Sequence, residues 1–168
     1  VLLAIDVYYT SNDIAYTVGV LFNWADEEPQ QTIQTQLEGI APYEPGAFYK
    51  RELPCLLSVI NKVDVAALEA IIIDGYVYLD NNKTGGLGKH LYDKLEQKVP
   101  VIGVAKTGYF NNQQTIIKVN RGESQKPLYV SAVGYDLNKA ATNIKHMQGK
   151  YRMPDILKTL DQLTRAAL

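Results

Sequence analysis

The chain has 168 residues, 46% hydrophobic and 21% charged, with a formal net charge of −1. This is the composition of a globular domain large enough for a real core; it excludes a disordered chain, and the near-neutral charge excludes tight nonspecific polyanion binding by the surface as a whole. One cysteine, Cys55, excludes an internal disulfide framework and a multi-cysteine zinc site.

The first forty residues read as strands. Val1–Tyr8 is apolar, Ser11-Asn12-Asp13 is a turn signal, and Ile14–Phe22 alternates. A second turn, Asp26-Glu27-Glu28-Pro29, leads to a weakly alternating edge strand over Gln31–Leu37, so an antiparallel meander is expected. After the stiff loop Pro42–Gly46, Leu53, Leu56, Leu57, Ile60 and Val63 recur at helical spacing, with Pro54 suited to a first helical turn. Ala70–Asp74 is a short strand, Leu87–Gln97 a helix after Gly85-Gly86, and Val101–Ala105 a buried strand. Thr115–Val119 and Leu128–Val133 are further strands; Asn138–Met147 and Pro154–Ala166 close the chain as helices. The expected order βββ-α-β-α-β-β-β-α-α makes a single α/β domain over residues 1–168 with a mixed sheet, the antiparallel meander followed by parallel strands, flanked by helices. No apolar run reaches the ~18–20 residues of a membrane span. Asp6 stops the apolar start and no basic segment precedes it, so neither a secretory leader nor a membrane role is expected; the cytoplasm is the expected compartment.

Charge is unevenly spread. Residues 1–49 hold seven acids and no Lys or Arg, which leaves the remainder of the chain net positive and allows a local basic face. Three apolar strands each run into one charged residue: Leu2–Ile5 into Asp6, Ala70–Ile73 into Asp74, and Val101–Ala105 into Lys106. A fourth, Leu128–Val133, leads to Gly134-Tyr135-Asp136. One such charge marks where a strand meets solvent. Three together are harder to dismiss, because a carboxylate in an apolar strand costs several kcal/mol unless paired or bound to a cation. In open α/β sheets sites gather at the carboxyl ends of strands. With only His90 and His146 as imidazoles, a bound metal would rest on carboxylates, as magnesium or manganese do. Glu52 joins the candidates at a helix N-terminus, where a carboxylate is favoured. Cys55 and His90 read as structural residues.

These segments resemble the endonuclease V (deoxyinosine 3′ endonuclease) family along nearly the whole chain. Ile5-Asp6-Val7-Tyr8-Tyr9 is similar to its first-strand motif, and Pro42-Tyr43-Glu44-Pro45-Gly46 continuing to Arg51-Glu52-Leu53-Pro54 is the most specific match. Ile73-Asp74-Gly75, Ile102-Gly103-Val104-Ala105-Lys106 and Tyr151-Arg152-Met153-Pro154 follow in the family's order. The resemblance implies an RNase H-like fold and magnesium-dependent hydrolysis of DNA or RNA 3′ to a deaminated adenine, with manganese as substitute metal. It implies Asp6, Glu52 and Asp74 as metal ligands and Lys106 as the group that stabilises charge on the attacked phosphate. Tyr43 would fill the gap left by the extruded base, Gly46 and Gly75 would line the base pocket, and Arg51 would contact substrate. A monomer acting on nucleic acid is expected.

Departures from the family pattern are local. Its His-Pro-Arg segment is replaced by Tyr76–Lys83, where Lys83 would supply the lost phosphate contact. Its late Gly-His is replaced by Gly134-Tyr135, so Asp136 would complete the catalytic set. These losses define the alternative reading, a nucleic-acid-binding homologue without catalysis.

Overall fold

The structure, a computed structural model, describes residues 1–166 apart from Ala41, Tyr43 and Gly46. Three antiparallel strands come first: β1 (Leu2–Tyr9), β2 (Ile14–Phe22) and β3 (Gln31–Glu38). Then follow α1 (Tyr49–Ile60), β4 (Ala70–Asp74), α2 (Leu87–Lys94), β5 (Val101–Ala105), β6 (Ile117–Val119), β7 (Leu128–Val133), α3 (Leu137–His146) and α4 (Asp155–Ala166). The strands form one sheet in the order β3-β2-β1-β4-β5-β7-β6, with β1, β4 and β5 parallel. The expected element order holds throughout.

Side-chain alternation explains the layering. Leu3, Ile5, Ile71 and Ile73 face Leu56, Val59 and Ile60 of α1 and Leu91 of α2. Leu2, Ala4 and Ile72 face Ile144 of α3 and Leu157 and Leu160 of α4. Both faces of β1 and β4 are covered, which is why their sequences are apolar without a break. Each large side chain buried this way contributes about 1.5–3 kcal/mol, so packing on both faces holds the central strands in place.

Two details differ from expectation. Helix α1 begins at Tyr49, on the turn in which Ala47 and Phe48 carbonyls accept from Lys50 and Arg51, so Pro54 stands in the second turn and not the first. The carboxyl end of β7 also points the other way. β7 is antiparallel to β5, with Val133 opposite Val101 and Tyr129 opposite Ala105.

The link between α3 and α4 is shaped by one buried cation. Arg121 donates to the carbonyls of Lys145, Met147, Gly149 and Tyr151 at 3.3, 2.6, 3.0 and 3.0 Å. These carbonyls satisfy the buried guanidinium as a carboxylate would elsewhere. Their capture fixes where Arg152 and α4 approach the sheet.

Candidate active site

Ile5 lies opposite Ile73 in the parallel pair, so Asp6 and Asp74 come level one residue later. Alternation turns both toward the α4 layer. There they line a narrow cavity of about 30 Å³ together with Lys106, which follows β5, and Asp161 of α4. Glu52 arrives from the opposite layer. From the first turn of α1 it borders a second cleft of about 90 Å³ that again includes Asp6 and Asp74. The two carboxylates on the sheet thus stand between one acid below and one above.

The electrostatics are those of crowded carboxylates short of counter-charge. Burial, reinforced by the charge of Asp74, pushes Asp6 up to about 6, although the Val7 N–H donates to its Oδ1 at 2.9 Å and Lys106 lies near. Burial pushes Glu52 up to about 7, with Asp6 and Asp74 adding to the rise and the Tyr9 hydroxyl and Arg51 opposing it. Asp74 is raised by burial as well, held back by Lys106 and raised further by Asp161. Its side chain reaches solvent at the cavity mouth while its surroundings are close-packed. Among the described residues, none of Asp6, Glu52 and Asp74 is in an ion pair.

Each position is held by identifiable backbone work. After Asp74 the chain crosses over β5: Gly75 N–H donates to Val104 O at 3.2 Å and Val77 N–H to Ser131 Oγ at 3.0 Å. Gly75 has φ +137°, a conformation that other residues rarely adopt. The crossing also needs Gly103, where a Cβ would stand 2.5 Å from the Gly75 oxygen. Lys106 is pinned through its carbonyl, which accepts from Arg152; the same guanidinium donates to Pro127 O at 2.8 Å. The Tyr-Arg-Met-Pro segment therefore serves the site by fixing the end of β5.

A larger apolar cavity of about 520 Å³ adjoins the Glu52 cleft. It shares Phe48 and Leu87 with the Glu52 cleft, and Leu79, Gly86 and Tyr109 form other parts of its wall. Tyr49, also in that wall, stacks on His90 with ring centroids 3.5 Å apart and planes 14° from parallel. His90 is thus a packing partner, as its place on a helix suggested. Cys55 is buried in the core.

Asp6, Glu52, Asp74 and Lys106 are brought together; other sequence candidates are not. Asp136 is at the far end of the sheet because β7 runs antiparallel, and it caps α3 by accepting from Lys139 N–H at 2.9 Å. Arg51 lies beside Glu52 with its guanidinium 3.8 Å over the Tyr9 ring. Lys83 is on an exposed turn with its ammonium 5.8 Å from the Tyr78 ring. Tyr43 and Gly46 lie outside the described residues. Asp161 was missed. The signal was there: it follows Leu157 by four residues and precedes Thr164 by three, so it is an acid on the buried stripe of α4.

Asp6, Glu52 and Asp74 suit a hard divalent cation: they offer oxygen ligands only, carry the same charge and form no ion pair among the described residues, with Glu52 buried and Asp74 open to solvent. The carboxylates stand apart as like charges do; among the described residues no group of three or more His, Cys, Asp or Glu side chains is close enough to hold an ion as it stands.

A three-strand meander continued by parallel strands, with an acid inside its first strand, another at the end of its fourth, and acids on both flanking layers, defines an RNase H-like fold. The family model for endonuclease V matches residues 1–162: the chain belongs to the endonuclease V family. Endonuclease V of Nocardia farcinica is 25% identical over 96% of this chain and 77% of its own length. That of Streptomyces avermitilis is 26% identical over 98% and 79%. Its crystal structure superposes with a TM-score of 0.75 over 99% of this chain and 80% of that one. Endonuclease V of Ciona intestinalis, solved with a 24mer DNA containing an inosine followed by a ribo-adenosine, shares the fold at 18% identity, with a TM-score of 0.82 over 99% of this chain and 84% of that one.

Proposed function

We propose that this protein is a divalent-metal-dependent endonuclease that hydrolyses the nucleic acid backbone 3′ to a deaminated base, inosine in RNA or deoxyinosine in DNA. The observation that carries this reading is the convergence of Asp6, Glu52, Asp74 and Asp161 with Lys106 at one end of the sheet, from five separate segments. Family membership supports the reaction class.

Asp6, Glu52 and Asp74 would hold magnesium or manganese, with Asp161 at the cavity's outer wall. The bound ion would polarise the phosphate and lower the pKa of an attacking water. Lys106 sets a fixed positive charge where the phosphate gains negative charge. Arg51 tempers the charge of Glu52 and holds its place by stacking on Tyr9. Lys83 extends positive charge along the strand's path. A base read by its edges must leave the stack, and the apolar cavity behind Phe48 is contiguous with the cleft, so the extruded base has a place to go. Gly75 keeps its proposed role as pocket backbone, and Gly85 and Gly86 are the glycines in the cavity wall. Tyr43 and Gly46 keep their proposed roles as wedge and pocket backbone.

The test is cleavage of single- and double-stranded DNA and RNA, each with one inosine or none, in magnesium, manganese or EDTA. Metal-dependent cutting of inosine strands alone is expected. Inosine-selective binding with no cleavage in either metal would instead establish the non-catalytic homologue.

A further inference from the structure

The side chain of Phe110 is 90% exposed, an extreme value for a large aromatic ring, and it stands four residues beyond Lys106. Its neighbour Tyr109 lines the apolar cavity and packs at 4.9 Å on Tyr76. The loop that carries them is braced. Asn81 N–H donates to Asn111 O at 2.9 Å, and Asn81 Oδ1 accepts from Gln113 and Gln114 N–H at 2.8 and 2.9 Å. Asn112, itself buried, donates to Tyr78 O at 2.7 Å. Tyr76 donates its hydroxyl to Thr107 O. A ring so exposed on so well-anchored a support is pre-organised for a ligand, since little ordering remains to be done on binding.

Resting on the nuclease reading above, we propose that Phe110 is a stacking platform for an unpaired nucleobase flanking the extruded one. Three observations select a nucleobase. Phe110 directly follows Tyr109, which stands in the wall of the apolar cavity, so a strand leaving that cavity along the loop meets the ring. Lys106 and the exposed Lys83 supply the positive charge that a phosphate backbone requires along this path. Every base has a π face, so an aromatic platform works without sequence preference. The loop also pairs with the Tyr76–Lys83 stretch, where this chain departs from its family's motif, so the two segments form one surface.

The test compares the unmodified protein with Phe110→Ala and Phe110→Trp in EDTA, so that no strand is cut. Fluorescence anisotropy follows a labelled single-stranded inosine oligonucleotide across a salt series. Phe110→Ala is expected to weaken binding about 10-fold with an unchanged slope of log K against log salt, because a neutral ring releases no counterions. Lys106→Ala is expected to reduce that slope by about one. The tryptophan emission of Phe110→Trp is expected to be quenched on binding, beyond the response of Trp24, which is held by Glu69 at the other end of β4. Unaltered affinity in Phe110→Ala, with no added quenching in Phe110→Trp, overturns the platform and leaves the nuclease reading standing. Absence of binding by the unmodified protein overturns both. Because Phe110 contributes nothing to the core, both variants are expected to melt with the unmodified protein.

Discussion

Asp6→Asn should stabilise the metal-free protein while abolishing its activity. The folded pKa of Asp6 is about 6 against an ordinary 3.8. The folded state therefore holds this proton more tightly than the unfolded one, so stability is fullest below about pH 4 and falls as pH rises through about 6. At 1.36 kcal/mol for each pKa unit, ionised Asp6 costs about 3 kcal/mol at pH 7.5. Asparagine removes that cost and keeps an oxygen for the Val7 N–H. In a protein of this size 1 kcal/mol shifts Tm by about 2–4 °C, so the gain should be about 6 °C or more at pH 7.5. It should shrink toward zero at pH 4. The assay is thermal melting of both proteins in EDTA across that range. A lower Tm for Asp6→Asn at pH 7.5, or a gain that does not depend on pH, would refute the reasoning that burial and neighbouring carboxylates strain this site.

Magnesium should reverse the strain: at 100 times its Kd it contributes about 2.7 kcal/mol, raising Tm at pH 7.5 in the unmodified protein and much less in Asp6→Asn, as read by melts with and without EDTA. Two acids expected from sequence and from structure should separate cleanly: Asp161→Ala should slow cleavage at least 10-fold with little change in Tm, whereas Asp136→Ala should leave cleavage intact and cost about 0.5–2 kcal/mol through the lost α3 cap, measured by activity and denaturant melts side by side. Gly103→Ala should force the Gly75 crossing away from β5, costing about 1–3 kcal/mol and displacing Asp74, so that activity falls by more than the fraction unfolded accounts for; full activity in a folded Gly103→Ala would show that this close approach is dispensable.

Much of the site was legible because it violates the pattern that builds the core. Asp6 and Asp74 interrupt strands apolar on both faces, and Lys106 closes a third, so each is visible as a charge where the alternation forbids one. What was not legible was strand direction. A late strand ending at Asp136 reads like the others in one dimension, but antiparallel pairing with β5 sends that end to the opposite edge. Asp161 was hidden for the converse reason. On a helix an acid is ordinary, and only its alignment with Leu157 and Thr164 sets it on the buried stripe. The supporting roles of Arg121 and Arg152 depend on backbone carbonyls brought together from separate segments, which no residue pattern announces. Segment order was enough for the fold, because a meander followed by alternating helices and strands has few ways to cover both faces of one sheet.

The most direct measurement is single-turnover cleavage of an end-labelled strand with one inosine, with the product ends mapped, for the unmodified protein and Asp6→Asn in magnesium and in EDTA. One cut on the 3′ side of the inosine is expected, present only with magnesium and reduced at least 100-fold in Asp6→Asn. Cutting that persists in EDTA, or at the same rate in Asp6→Asn, would contradict it.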